Sequence, residues 1–308
     1  MLQNPKVNIL LAAYNGRPYL EKQLDSLLRQ TYKNVVIYIR DDGSTDGTPE
    51  FIHEYIDKHP EMDIRLLDND GRNLRASGNF YQLLHECEPA EYYALCDQDD
   101  EWYPNKLQWA VEALQKEKAD KVLLYYSACD YCTEEGKLIR RSPKQRERLE
   151  LQDVLYYTPG SGFTIVMNEK ARQELVLRRT PGPEMHDRWL IRGAVCLGKV
   201  IYDSRSTAAH IRHADAVTAE DAGNGRLLIH FVKDELFGEQ PKKDKKALIY
   251  FDQVFQSVLN TRQKKVLQLF TGKNTPIRWG SKVCYPRRLR RRLGGEIALR
   301  ILFFLGRM

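Results

Sequence analysis

Tyr92-Tyr93-Ala94-Leu95-Cys96-Asp97-Gln98-Asp99-Asp100-Glu101-Trp102 is the stretch whose reading decides the fold. Five β-compatible apolar residues run directly into a turn in which four of five positions are acidic. Such a run, bounded by turn residues, predicts a buried strand. Carboxylates gathered at its carboxyl end would repel one another strongly without a cation. An oxygen-rich ligand set favours Mg²⁺ or Mn²⁺, and an ion there would be placed to clamp a diphosphate.

Outward from that strand, apolar runs alternate with helical spacing. Residues 7–13, 35–40, 64–67 and 122–128 predict further strands, and 19–30, 48–58, 78–86 and 104–116 predict helices. Leu20, Leu24, Leu27 and Leu28 share one helical face, and Pro104 stands near a helix start, where its missing N–H does no harm. This order predicts an α/β fold, Rossmann-like, with a mostly parallel central sheet and flanking helices. Ligands of such sheets bind at the carboxyl ends of the strands. From about Gly223 the pattern turns helical, at 227–236, 247–259 and 262–270. The expected organisation is therefore one unit over residues 1–222 and a helical extension over 223–308.

Two more motifs fall at strand ends. Ala12-Ala13-Tyr14-Asn15-Gly16 closes the first strand and Asp41-Asp42-Gly43-Ser44-Thr45-Asp46-Gly47-Thr48 closes the second. A tyrosine there can stack on a base, and a carboxylate can accept the imide N–H of a pyrimidine. Each residue also has a plainer use: Tyr14 in packing, Asp41 and Asp42 in shaping the turn, and Asp46 as a helix N-cap. A calcium loop starting at Asp41 or Asp42 would need Glu where Ile52 or His53 stands. No GxxxxGK[ST] occurs, which excludes a P-loop.

Other classes fall away on composition. Six cysteines in 308 residues do not make a disulfide scaffold, and the lone Cys129-Asp130-Tyr131-Cys132 lacks a second ligand pair for zinc. The start of the chain leaves no room for a secretory signal, and no apolar run approaches about 18 residues, so a cytoplasmic location is expected. The net charge of +6 is concentrated late, in 242–246 and in Arg287-Arg288-Leu289-Arg290-Arg291-Arg292. No nucleic-acid motif accompanies these runs. Arginines beside the apolar 297–305 segment suit an interfacial helix, so peripheral contact with the inner face of an anionic membrane is expected. The other reading docks that segment on its own domain or on a second copy of the chain, as a homodimer.

Over residues 5–220 the sequence resembles the family 2 inverting glycosyltransferases of GT-A fold. Val7-Asn8-Ile9-Leu10-Leu11-Ala12-Ala13-Tyr14-Asn15 is similar to the family's opening strand, Asp41-Asp42-Gly43-Ser44-Thr45-Asp46 to its nucleoside-binding turn, and Asp97-Gln98-Asp99-Asp100 to its metal motif. Gly78-Asn79-Phe80, the acidic turn followed by Trp102, and Met185-His186-Asp187-Arg188-Trp189 resemble the subgroup that uses dTDP-L-rhamnose. Arg188 stands where that subgroup often has an aromatic, and Ile211-Arg212 where it has a Tyr-Arg pair.

The resemblance implies an enzyme that moves a sugar from a dTDP- or UDP-sugar, with Mg²⁺ or Mn²⁺, to a glycan or lipid-linked saccharide in surface polysaccharide synthesis. It implies that Tyr14 stacks on the base, Asp42 binds its N3–H, Asp97 approaches the ribose or phosphates and the metal, and Asp99 ligates the metal. Asp187 would be the catalytic base. Ala12, Asn15, Asn79, Gln98, Trp102 and His186 complete the implied substrate site; His210, Arg212 and His213 could reach the diphosphate, although histidines in such a segment are more often structural or solvated, and Arg212 and His213 are kept as candidates. Asp187 also reads as an ordinary acid at a helix N-terminus, and His186 as a packing residue. Gly160-Ser161-Gly162 suits either close approach to a ligand or a simple turn into a strand. A UDP-hexose transferase and a nucleotide-sugar-binding scaffold without turnover are the alternatives. A phosphohydrolase is disfavoured because its DxDGT pattern is missing from 41–44.

Overall fold

The computed structural model describes residues 4–69, 71–212, 238–273 and 275–308. The expected helix at 227–236, the 222/223 boundary and His213 lie outside the described residues.

The strands are β1 (Val7–Ala13), β2 (Val35–Asp41), β3 (Ile64–Leu66), β4 (Tyr92–Asp97), β5 (Asp100–Trp102), β6 (Val122–Cys132), β7 (Leu138–Arg141), β8 (Val166–Asn168) and β9 (Gly198–Ile211). They form one mixed α/β sheet in the order β3-β2-β1-β4-β8-β6-β9-β5, with β7 on β6. The pairs that β1, β2, β3, β4, β6 and β9 make with one another are parallel, while β8 and β5 run against their neighbours. Strand side chains alternate between faces. Val7, Ile9, Leu11 and Ala13 therefore enter one core and Leu10 the other.

The helices α1 (Leu20–Leu28), α2 (Thr48–Lys58) and α4 (Lys106–Leu114) bury leucine, isoleucine and phenylalanine in the first core. The helices α3 (Arg75–Glu86), α5 (Glu169–Arg172) and α6 (His186–Leu197) serve the second. Register brings the ligand-facing ends level, since Ala12 lies opposite Arg40 and Asp97, and Ala13 opposite Asp41.

Three elements differ from expectation for reasons of long-range pairing. Helix α3 starts at Arg75 rather than 78, because the distant Asp42 carboxylate accepts the N–H groups of Leu74 (2.8 Å) and Arg75 (2.7 Å). Strand β6 runs on to Cys132 because β9 pairs along it, which leaves Cys129 and Cys132 buried and free inside a strand. Strand β9 itself has a polar, half-exposed sequence with no apolar run. Its first residue must be glycine, since a Cβ on Gly198 would meet the Val122 carbonyl oxygen at 1.9 Å.

The C-terminal helices are α7 (Gln240–Phe255), α8 (Thr261–Thr271), α9 (Pro276–Val283) and α10 (Leu293–Phe304). They share the second core with the sheet. Trp189 of α6 packs on Phe251 and Phe255 of α7 (5.6 and 5.3 Å between ring centres), and Tyr156 meets Phe270 and Phe303. Each such ring contributes roughly 1.5–3 kcal/mol by leaving water. Helix α10 buries Ala298, Leu299, Leu302 and Phe303, so the segment does dock on its own chain, while Leu293, Ile297, Ile301, Phe304 and Leu305 remain exposed. Among the described residues no helix is long and apolar enough to cross a membrane.

Candidate active site

Strand ends of β1, β2 and β4 form the floor of the site. Tyr14 stands at its mouth, 49 % exposed. Its backbone is clamped from β4: Gln98 accepts from the Tyr14 N–H at 2.7 Å and donates to the Tyr14 carbonyl at 2.9 Å. Gln98 thereby presses on Gly16, where a Cβ would lie 2.1 Å from its Oε1. Gln98 is a positioning residue. Asn15, at φ 46°, donates its N–H to Ser44 Oγ and accepts from Thr45 N–H, tying the first turn to the second. Half-buried Ala12 lies in the strand register between Arg40 and Asp97.

The acids of the second turn are spent on the protein. Asp41 accepts the N–H groups of Gly43 and Ser44, and Asp46 those of Arg17 and Thr48. Asp42 is 1 % exposed and accepts from Arg40 Nη1 (2.7 Å) as well as from Leu74 and Arg75. The base contact implied for Asp42 is closed in this conformation. Asn79, also buried, accepts from Arg40 and donates to the Arg40 and Ala13 carbonyls, which ties α3 to the sheet. Trp102 is 1 % exposed, under α1, with Lys106 Nζ 4.7 Å from its ring centre. Neither Asn79 nor Trp102 is open to a substrate; both build the walls.

The acidic turn after β4 is different. Burial, then the charges of Asp100, Asp99 and Asp187, push the Asp97 carboxyl well above the usual carboxylate range. Asp187, ninety residues away in sequence, makes the smallest of these contributions. It sits in the first turn of α6, half-buried, and burial raises its pKa against the opposing pull of the Arg188 N–H and guanidinium. Arg188 is held by Thr158 Oγ1 (3.2 Å) and Asp244 (3.0 Å). Tyr81 also feels the Asp187 charge, and its buried hydroxyl has no hydrogen-bond partner among the described residues.

Neighbouring His186 points inward, its ring 4.3 Å from that of Phe80 and both nitrogens without partners among the described residues. Burial pushes its pKa down to about 4. In this conformation it packs against Phe80 and Gly162. Gly162 lies against it, and a Cβ there would be 2.3 Å from His186 Nε2; Gly160 similarly faces the Tyr126 ring. The close approach at these glycines is therefore to the protein's own side chains, in the turn leading to β8.

The sequence did not single out the pairing of Asp100 with His210. Antiparallel register brings β9 to β5 so that His210 Nδ1 lies 2.7 Å from Asp100 Oδ1, with the imidazole stacked on Phe163. Burial raises Asp100 while the His210 bond opposes that rise. The sequence offered His210, with Arg212 and His213, as a residue that could reach the diphosphate, but nothing local to the unforeseen strand signalled Asp100 as its partner. Arg212 follows, its guanidinium 5.1 Å from the Tyr131 ring centre.

The carboxylates suit a divalent ion in chemistry more than in number. Asp97 is crowded by like charges, and buried Asp100 Oδ2 has no donor among the described residues. Yet among the described residues no three His, Cys, Asp or Glu side chains form a ready metal cage. That combination fits an ion such as Mg²⁺, bound through one or two carboxylates and otherwise through water and substrate phosphates.

Comparison with known proteins agrees with this layout. The Glycosyl transferase family 2 profile matches residues 8–174, more than half of the chain, and the chain belongs to that family. The dTDP-rhamnosyl transferase RfbG of Shigella flexneri is 34% identical over 166 residues, covering 52% of this chain and 54% of the relative. The match spans about half or less of the length of the curated relatives. Among solved structures, S. aureus TarS 1-349 in complex with UDP superposes with a TM-score of 0.54 at 17% identity, over 85% of this chain and 86% of that one. The mannosyltransferase PcManGT of Pyrobaculum calidifontis, in complex with GDP-Man and Mn²⁺, gives 0.51 at 18% identity, over 99% and 88%. These establish the GT-A fold.

Proposed function

We propose that the chain is a metal-dependent inverting glycosyltransferase that moves L-rhamnose from dTDP-L-rhamnose to an acceptor hydroxyl, with Asp187 as the base. One observation carries the reading: Asp97 at the carboxyl end of β4 has its pKa raised by burial and by the neighbouring acids Asp100 and Asp99, and the charge of Asp187, from the first turn of α6, adds to that rise. Asp187 takes the proton from the acceptor hydroxyl as that oxygen attacks the anomeric carbon. The new carbon–oxygen bond forms on the face opposite the old one, whose electron pair leaves on the nucleoside diphosphate. Desolvation makes Asp187 a stronger base than an exposed aspartate, which favours this proton transfer.

Asp97 and Asp99 are the residues that would hold Mg²⁺ or Mn²⁺, and the ion would neutralise charge on the diphosphate. The tyrosine ring at the mouth offers a stacking face for the base. The rhamnose donor is supported by the likeness to a dTDP-rhamnosyl transferase and by the DQDD-x-W and MHDRW segments. Peripheral membrane contact belongs to the same reading, through the exposed apolar ridge of α10 beside the arginine run.

Asp187→Asn should lower transfer by about 10²–10⁴-fold, the range of positioned proton transfer, and leave donor affinity nearly unchanged. Full turnover by that variant would remove the base, and the scaffold alternative predicts no turnover in either protein. Asp99→Ala should weaken donor binding only when Mn²⁺ is present; identical calorimetric isotherms with and without the ion would refute metal dependence. Thermal shifts with dTDP-rhamnose, UDP-glucose, UDP-galactose and GDP-mannose identify the donor, because a ligand that prefers the native state raises its stability. A larger shift with UDP-glucose or UDP-galactose would transfer the proposal to a UDP-hexose.

A further inference from the structure

Away from the acidic strand ends, a cavity of about 410 Å³ opens between the 144–157 segment and the arginine run that precedes α10. Five of its ten lining residues are basic (Lys144, Arg146, Arg288, Arg290 and Arg291), against a single acid, Asp153. Asp153 is already occupied, since it accepts from Arg146 at 3.0 Å and from the Glu150 N–H. Lys144 and Arg288 make no ion pair among the described residues. Arg146 is paired with Asp153 and Arg290 has a partner of its own, so the charge that the walls leave without a counter-charge among the described residues is that of Lys144, Arg288 and Arg291. Like charges brought together in a concave site repel one another, and field lines focus there, so an anion is attracted. Arginine forks fit phosphate oxygens in particular.

The position of the cavity gives the anion a use. Tyr157 lines it, and the next residue, Thr158, holds Arg188 beside Asp187. Arg291, which also lines it, leads within two residues to Leu293, where the exposed ridge of α10 begins. The chain that lines the cavity thus leads in one direction to the residue that holds Arg188 and in the other to an exposed apolar ridge.

We infer that this cavity binds a phosphate- or diphosphate-bearing group, presented by a lipid headgroup or by a free phosphorylated ligand. The inference requires nothing of the catalytic assignment, because none of the lining residues belongs to the proposed transfer machinery.

Calorimetry with inorganic pyrophosphate in EDTA, without divalent ion, tests it on the full chain. One site is expected, and Arg288→Ala/Arg291→Ala should weaken it at least about thirtyfold, the loss of two charge-assisted contacts. The control, Lys116→Ala/Lys118→Ala, removes equal charge beside α4, which packs on the other sheet face, and should change affinity less than about twofold. Lys144→Ala/Arg288→Ala provides a second cavity variant should the first fail to fold. Adding vesicles of phosphatidylcholine with phosphatidylglycerol then separates the sources. Competition with pyrophosphate supports a lipid headgroup, and pyrophosphate binding without vesicle competition supports a free phosphorylated ligand. Absence of pyrophosphate binding, or an equal loss in cavity and control variants, overturns the inference.

Discussion

The turns that close β2 and β4 lie on either side of β1, and both are rich in aspartate, yet they use their charge in opposite ways. In the β2 turn every described acid has donors: backbone N–H groups reach Asp41, Asp42 and Asp46, and Arg40 completes Asp42. In the β4 turn Asp97 is surrounded by other acids, and one oxygen of buried Asp100 has no donor among the described residues. Carboxylates that accept several N–H bonds are at rest, while carboxylates crowded by like charge are held at a cost until a cation or a proton arrives. The first turn's acids are satisfied by the protein, and the second turn's are crowded by like charge. Similar composition therefore says little until the donors have been counted.

The same substitution at the two turns should expose the difference most strongly. Asp42→Asn breaks the buried pair with Arg40, whose side chains are each 2% exposed, and should cost about 3–5 kcal/mol, the usual loss when one member of a buried ion pair is removed. Asp97→Asn should leave stability unchanged or raised at neutral pH, because it removes a like charge, while transfer falls about a hundredfold. Urea unfolding beside a transfer assay reads both. A destabilised Asp97→Asn with an unaffected Asp42→Asn would reverse the comparison.

His186 gives a pH-dependent test of the wall between the turns. Its pKa is about 4 in the fold against 6.5 for a free histidine. The unfolded chain therefore binds a proton that the native state refuses between these values, and stability contributed by neutral His186 is present above pH 6.5 and lost as pH falls toward 4. The loss amounts to about 3 kcal/mol. Unfolding of wild type and His186→Gln from pH 7 to 4.5 should diverge by approximately this amount, and parallel curves would show that the ring is not shielded. On the kinetic side, the raised Asp187 requires the acid limb of activity to lie above the pH at which an exposed aspartate titrates, about 3.9. An acid limb at or below that pH would separate Asp187 from the proton transfer.

The smallest effect belongs to the clamp that joins the turns. Gln98→Ala removes two hydrogen bonds to the Tyr14 backbone and should cost about 1–3 kcal/mol. It should also raise KM for the donor more than it lowers kcat. Unchanged KM would mean that Tyr14 keeps its position without the clamp.

Much of this was legible in the chain itself. The apolar runs at β1, β2 and β4, the helical face of α1 and the acids at strand ends depend on near neighbours, and their periodicity determines local structure wherever both sheet faces are covered. Tertiary structure alone decided which acids are satisfied, because the donors to Asp42 come from residues 74 and 75 and the partner of Asp100 from β9. It also turned Asn79, Trp102 and His186 inward, and it buried one face of α10 while leaving the other exposed. A residue's type sets what it can bond to; which partner arrives depends on register and packing between segments far apart in the chain, and no local pattern encodes that.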